Sequence, residues 1–209
     1  MACCETRADS FAARARRARA TCILSKINAF LHFPHTSPAC YAWRMSLPIH
    51  IVLLRPEIPH NTGAIGRLCV GLDCPLHLIR PLGFALTSNW VRRSGMDYWE
   101  HLDLHLHDNW DAFLQSVHPA RLFFASTRGT RSLYDCHFAP NDALIFGNES
   151  SGLPEEFYAQ HAADLFQIPM PGPHARSINL ANATAVVAYE AFRQLSPSAK
   201  AVPTKPAQE

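Results

Sequence analysis

The side chains able to do chemistry gather in loops that follow short apolar runs. "HNTGAIGRLC" (60–69) offers Asn61 and Arg67. "GNESSGLP" (147–154) offers Glu149 between two glycines. "HARSINLAN" (174–182) places Arg176, Ser177, Asn179 and Asn182 at the head of an apolar helix. A guanidinium suits a phosphate or a developing anion, and a carboxylate suits the orienting of donors. Ser150 and Ser151 lack a G-x-S-x-G setting, which argues against a hydrolase nucleophile. There is no G-x-G-x-x-G and no G-x-x-x-x-G-K-[ST], so dinucleotide and P-loop sites are unsupported. "HLDLHLHD" (101–108) sets His101, His105 and His107 against Leu102, Leu104 and Leu106. Three histidines could hold an ion, but the solvated face of an edge strand accounts for the alternation, and no metal is expected.

These groups need elements to carry them. "IHIVLL" (49–54) is a buried strand. Two prolines in "RPEIPHNTG" hold the next segment as a loop, and Asn61 is a suitable N-cap. Ile65, Leu68, Cys69 and Leu72 then form the stripe of an amphipathic helix over 62–72, followed by a strand in "LHLIRPLG" (76–83). This β-α-β unit implies a parallel sheet. Arg67 falls about 200° round the helix from Ile65, near Gly63 and Gly66, on what is expected to be open surface. "NWDAFLQSV" is a helix, and "RLFFAST", "DALIFG" and "LFQIPM" are further buried strands. The fold class is α/β, and open α/β sheets bind ligands at the carboxyl ends of their strands. "WVRRSGMDYWEH" adds Arg92 and Arg93 beside Trp90, Tyr98 and Trp99, a mixture suited to phosphates and stacked bases.

Composition sets limits. With 209 residues, 48% of them hydrophobic, the chain can bury one ordinary domain. No apolar run approaches the ~20 residues of a membrane span, so no membrane partner is expected. Seven cysteines without a C-x-x-C pair fit reduced thiols and a cytoplasmic location. Residues 1–44 hold seven basic and two acidic residues, whereas 45–209 hold twelve and fifteen. Residues 1–44 are therefore read as a disordered extension or an upstream start, with Met45 the working start; a presequence and a basic nucleic-acid arm are the alternatives. Residues 196–209 are read as a disordered tail, leaving 45–195 as the domain.

Four runs in order carry a resemblance: "LLRPEIPHNTGAIGRLC", "HLIRPLGFALTSNWVRRSGMDYWEH", "ALIFGNESSGLP" and "IPMPGPHARSINLANATAVVAYEAFRQL". Together they resemble the SPOUT superfamily of RNA 2'-O-methyltransferases, and within it the TrmL (YibK-like) family. The resemblance implies a mostly parallel sheet flanked by helices with a C-terminal deep trefoil knot. It implies methyl transfer from S-adenosylmethionine to the wobble ribose of tRNA, on tRNA-Leu type substrates, by a homodimer. Arg67 matches the family's catalytic arginine, and Asn61 and Glu149 match supporting polar positions. Ala125, Gly147, Ile168, Ser177 and Asn179 match cofactor positions, Arg92 and Arg93 become tRNA contacts, and Tyr189 matches an interface position. The family often has Pro, then Glu-Thr-Arg, where this loop has Asn148, Glu149, Ser150 and Ser151. Another tRNA or rRNA position is thus the alternative target, and a non-catalytic RNA- or nucleotide-binding module the alternative of another class.

Overall fold

The computed structural model describes residues 47–86 and 97–196. Residues 1–44, Arg92, Arg93 and the tail after Ser196 lie outside the described residues. The elements are β1 (Ile49–Leu54), α1 (Pro59–Leu72), β2 (Leu76–Ile79), β3 (Leu104–His107), α2 (Trp110–Val117), β4 (Arg121–Ala125), β5 (Arg131–Ser132), β6 (Asp142–Phe146), α3 (Glu155–Gln160), β7 (Leu165–Gln167) and α4 (Leu180–Leu195). A short 3-10 helix, Asp97–His101, precedes β3. The strands form one sheet in the order β3-β2-β1-β6-β4-β7-β5, and each pairing is parallel. β6 enters between β1 and β4, and β7 between β4 and β5, so the carboxyl ends of β4, β6 and β7 lie side by side.

The continuous apolar runs make sense because both sheet faces are covered. On one face Ile51, Leu53, Leu76, Leu144 and Phe166 pack with Ile65 and Cys69 of α1 and with Val187, Ala188 and Ala191 of α4. On the other, Val52, Ile79, Phe124 and Ile145 pack with Phe113 of α2 and Phe157 of α3. In α4 the buried residues are Thr184, Val187, Ala188 and Ala191, one stripe at helical spacing. Asp142 opens β6 fully buried, where its carboxylate accepts two hydrogen bonds from Arg121 and one from the Ala139 N–H.

Three expectations from sequence need correction. Helix α1 starts at Pro59, before Asn61, because a proline fits the first turn without losing a needed N–H. Asn61 is therefore inside the helix and does not cap it. Gly63 and Gly66 do not border open surface. Both are buried: the Tyr98 hydroxyl donates to the Gly63 carbonyl at 2.8 Å, and a Cβ on Gly66 would stand 3.1 Å from Leu102 Cδ2. Their missing side chains let the Asp97–His101 turn sit on the helix. Finally, β3 is an edge strand, but its histidine face is not solvated throughout. His107 is buried while Leu106 is 45% exposed, because α2 packs on the histidine side.

Candidate active site

A cavity of about 570 Å³ opens where β4, β6 and β7 end. Ala125 and Gly147 line it from the strand ends, Ile168 from the segment after β7, and Ser177 and Asn179 from the approach to α4. Asn61 and Glu149 also line it. Seven of the side chains singled out in sequence, drawn from five separate segments, thus meet at one place. The charged lining residues are Arg128, Arg176 and Glu149.

Glu149 is the hub. Its carboxylate accepts from the Glu57 N–H at 2.8 Å, the Ile58 N–H at 3.2 Å and Asn61 Nδ2 at 2.8 Å. Asn61 Oδ1 accepts in turn from Asn179 Nδ2 at 2.9 Å. Asn179 caps α4, its Oδ1 accepting from the Ala181 and Asn182 N–H groups at 2.9 and 3.3 Å. One continuous chain of donors and acceptors therefore ties the loop after β1, the loop after β6 and the head of α4. The oddly polar start of α4 is both a cap and a wall of the cavity.

The loop after β6 is held by its own backbone. Asn148 and Gly152 exchange backbone hydrogen bonds at 3.0 and 3.2 Å, and Asn148 Oδ1 accepts from the N–H groups of Ser151 and Gly152. The pinch leaves no space at Gly147, where a Cβ would stand 2.1 Å from the Gly152 carbonyl carbon. Gly152 sits at φ 73°, which a glycine adopts without strain. Sequence reasoning missed the far wall. Arg128 lies over the Tyr158 ring at 4.3 Å and pairs with Glu155 at 2.9 Å.

Arg67 does not line the cavity. It is exposed on α1, with its guanidinium 4.8 Å from the centre of the Tyr98 ring, and Tyr98 is anchored to Gly63. Tyr189 is 56% exposed on α4, and does not line the cavity either.

The histidines form a second polar feature at the other end of the sheet. Imidazoles of His50, His77 and His107 are linked at 3.0 Å each, flanked by Asn141 and Ser116. Burial, then the neighbouring histidines, lowers the His77 pKa to about 3, and burial lowers that of His107. Their nitrogens satisfy one another, and among the described residues no cluster suited to a metal ion is found. Among the same residues no helix is long and apolar enough to cross a membrane.

Comparison with known proteins places this geometry. A tRNA (cytidine(34)-2'-O)-methyltransferase of Acidovorax sp. (strain JS42) is 46% identical over 150 residues, 70% of this chain and 92% of that protein. A solved structure giving insight into the 2-OH methylation of C/U34 on tRNA is 53% identical, with a TM-score of 0.65 over 70% of this chain and 95% of its own. The SpoU methyltransferase AviRb from Streptomyces viridochromogenes, in complex with AdoMet, is 25% identical, with a TM-score of 0.60 over 69% of this chain and 57% of its own. The model of the SpoU rRNA methylase family matches residues 48–189, the span that holds the sheet, the cavity and the chain from Glu149 to Asn179, and the protein belongs to that family.

Proposed function

We propose that this protein transfers a methyl group from S-adenosylmethionine to the 2'-hydroxyl of the wobble nucleotide of tRNA. The observation that carries the reading is the Glu149–Asn61–Asn179 chain lining a cavity at the strand ends, in a protein 46% identical to a tRNA (cytidine(34)-2'-O)-methyltransferase. The residues fit the cofactor. The cavity volume lies within the roughly 300–1,000 Å³ of small-ligand sites. Phe146, Leu153 and Ile168 offer apolar surface to an adenine, while Ser177 and backbone near Gly147 offer hydrogen bonds. When bound, S-adenosylmethionine supplies an electrophilic methyl group.

The chain's own task is to bring a ribose hydroxyl to that methyl, and the hydroxyl proton passes to solvent water as the 2'-oxygen gains the methyl group. A guanidinium with a pKa above ~12 is a poor base at neutral pH. Arg67 instead binds a phosphate next to the target ribose and stabilises negative charge developing on the 2'-oxygen. Its place outside the cavity, propped by Tyr98, suits a group that meets RNA rather than cofactor. Arg92 and Arg93 add phosphate contacts. Glu149, acceptor only, fixes Asn61 and the cofactor loop.

Two structural proposals accompany this one. The insertion of β6 and β7 between earlier strands, followed by the return of α4 onto α1, supports a trefoil knot formed by the segments after β4, β6 and β7. Exposed Ile178, Val186 and Tyr189 on and before α4 support a homodimer through that helix. A tRNA substrate and free buried thiols at Cys69, Cys74 and Cys136 fit a cytoplasmic enzyme. A second reading, methylation at another tRNA or rRNA position, is favoured by Ser150–Ser151 standing where the TrmL family often has Thr-Arg.

The test is Arg67→Ala in a methyl-transfer assay with purified protein, tRNA and labelled S-adenosylmethionine. Cofactor affinity is expected to stay within about threefold while transfer falls at least ~100-fold, the loss typical of one oxyanion-stabilising group. Unchanged transfer removes Arg67 from the mechanism, and no transfer by the unaltered protein removes the reaction.

A further inference from the structure

The Glu149 contacts are half of a reciprocal arrangement. Glu149, in the loop after β6, captures the backbone N–H groups of Glu57 and Ile58 in the loop after β1. Glu57 returns the contact. Its Oε1 accepts from Asn148 Nδ2 at 3.2 Å, and its Oε2 accepts from the Ser150 hydroxyl. Each loop thus presents one carboxylate to donors of the other.

Glu57 is itself tightly placed. Pro56 precedes it, and the Gly83 N–H donates to the Pro56 carbonyl at 2.9 Å. A Cβ on Gly83 would stand 2.8 Å from Glu57 Cα, so the segment after β2 presses directly on the Glu57 backbone. The Glu57 N–H is held by Glu149. Backbone fixed on both sides leaves the carboxylate little choice of direction. Asn148 completes the link: its Oδ1 caps its own loop through Ser151 and Gly152, while its Nδ2 is spent on Glu57. Turning the Asn148 amide over would break the loop cap, so Asn148 must offer a donor to position 57, and position 57 must be an acceptor.

We propose that Glu57 is a positioning residue of the methyl-transfer site, holding the Asn148–Ser151 loop in the register that seats the cofactor and Glu149. The proposal rests on the cofactor reading of the cavity for its kinetic consequence, though not for the clasp itself. Glu57 does not line the cavity and acts only through the loop. The Ser150 hydroxyl is the loop's side-chain donor to Glu57 Oε2, a contact that a Thr at this position would also offer.

The experiment compares Glu57→Ala, Glu57→Gln and Ser150→Ala, alone and combined, in the full-length protein. Loss of hydrogen bonds to a charged acceptor is expected to raise the KM for S-adenosylmethionine about tenfold in Glu57→Ala, with kcat at saturating cofactor changed less than about threefold. Glu57→Gln is expected to recover most of the affinity, because its oxygen takes Asn148 and its amide can donate to the Ser150 hydroxyl. Ser150→Ala added to Glu57→Ala is expected to cost nothing more. Amide hydrogen exchange on the protein without cofactor is the second readout, and Ser151 and Gly152 are expected to lose protection in Glu57→Ala while α4 keeps it. Exchange unchanged at Ser151 and Gly152 overturns the clasp, whatever the activity. A changed exchange with unchanged KM overturns the positioning role. An unaltered protein that binds no S-adenosylmethionine overturns the cofactor reading, while the exchange comparison still decides the clasp.

Discussion

Glu149→Gln is nearly isosteric, yet the site's pattern of donors and acceptors has no room for it. Asn179 Oδ1 must accept the N–H groups of Ala181 and Asn182, so its Nδ2 faces Asn61. Asn61 must then present its oxygen to Asn179 and its Nδ2 to position 149. Position 149 also faces the Glu57 N–H from its other oxygen. A carboxylate accepts on both sides, whereas a glutamine places one donor against another whichever way it turns. One charge-assisted bond is lost and one donor is left facing a donor, worth about 2 kcal/mol after solvent relieves part of the cost. For a domain of this size that is a fall of about 4–8 °C in Tm, measured by calorimetry. A second substitution reverses the polarity of the chain. In Glu149→Gln/Asn179→Asp the new aspartate still caps α4 and Asn61 turns over. The new glutamine amide then donates to Asn61 Oδ1 while its oxygen accepts from the Glu57 N–H, and the one contact not restored is the longer, solvent-exposed one from the Ile58 N–H. The double variant is expected to regain most of the lost Tm. A Glu149→Gln melting point equal to the parent's, or a double variant less stable than the single, refutes the reasoning.

Other outcomes follow from the same structure. The His77 pKa lies near 3 in the fold, against 6.5 when unfolded, so the unfolded chain binds its proton first and stability is lost as pH falls below 6.5. From pH 7 to pH 5 the loss from His77 alone is about 2 kcal/mol in urea titrations, with His107 adding in the same direction, and His77→Gln is expected to flatten that slope. Equal slopes in the two proteins would dismiss the histidine row as its cause. Gly147→Ala must push apart backbone that stands 2.1 Å from the new Cβ, and is expected to cost more than about 2 kcal/mol in denaturant and to abolish cofactor binding by calorimetry.

What could be read from sequence follows from where the physics is local. The strands of the central sheet declare themselves because burial on both faces demands unbroken apolar runs, as in "IHIVLL" and "DALIF". β5 has two residues and no pattern of its own; it exists because β7 lies beside it. The misplaced start of α1 has the same origin. Asn61 is a sound cap by type, but a carboxylate 88 residues away recruits its side chain and Pro59 opens the helix instead. Gly63 and Gly66 were visible as an oddity, but only the fold shows that Tyr98 and Leu102 press on them. Of the polar members of the site, Glu149 stood out as the lone charge between Gly147 and Gly152, Ser177 and Asn179 as polar residues at the head of an apolar helix, and Asn61 only as a cap; the family resemblance supplied their roles. Glu57 and Arg128 did not, since a lone charge in an exposed loop looks the same whether it faces solvent or a partner loop.

The central claim is methyl transfer to the wobble ribose. The most direct measurement maps 2'-O-methylation, by mass spectrometry of nuclease digests, in tRNA from cells lacking this protein, before and after incubation with the purified protein and S-adenosylmethionine. Methylation that is absent at nucleotide 34 beforehand and appears there, and only there, is the expected result. A methyl group gained at another nucleotide, or none at all, contradicts it.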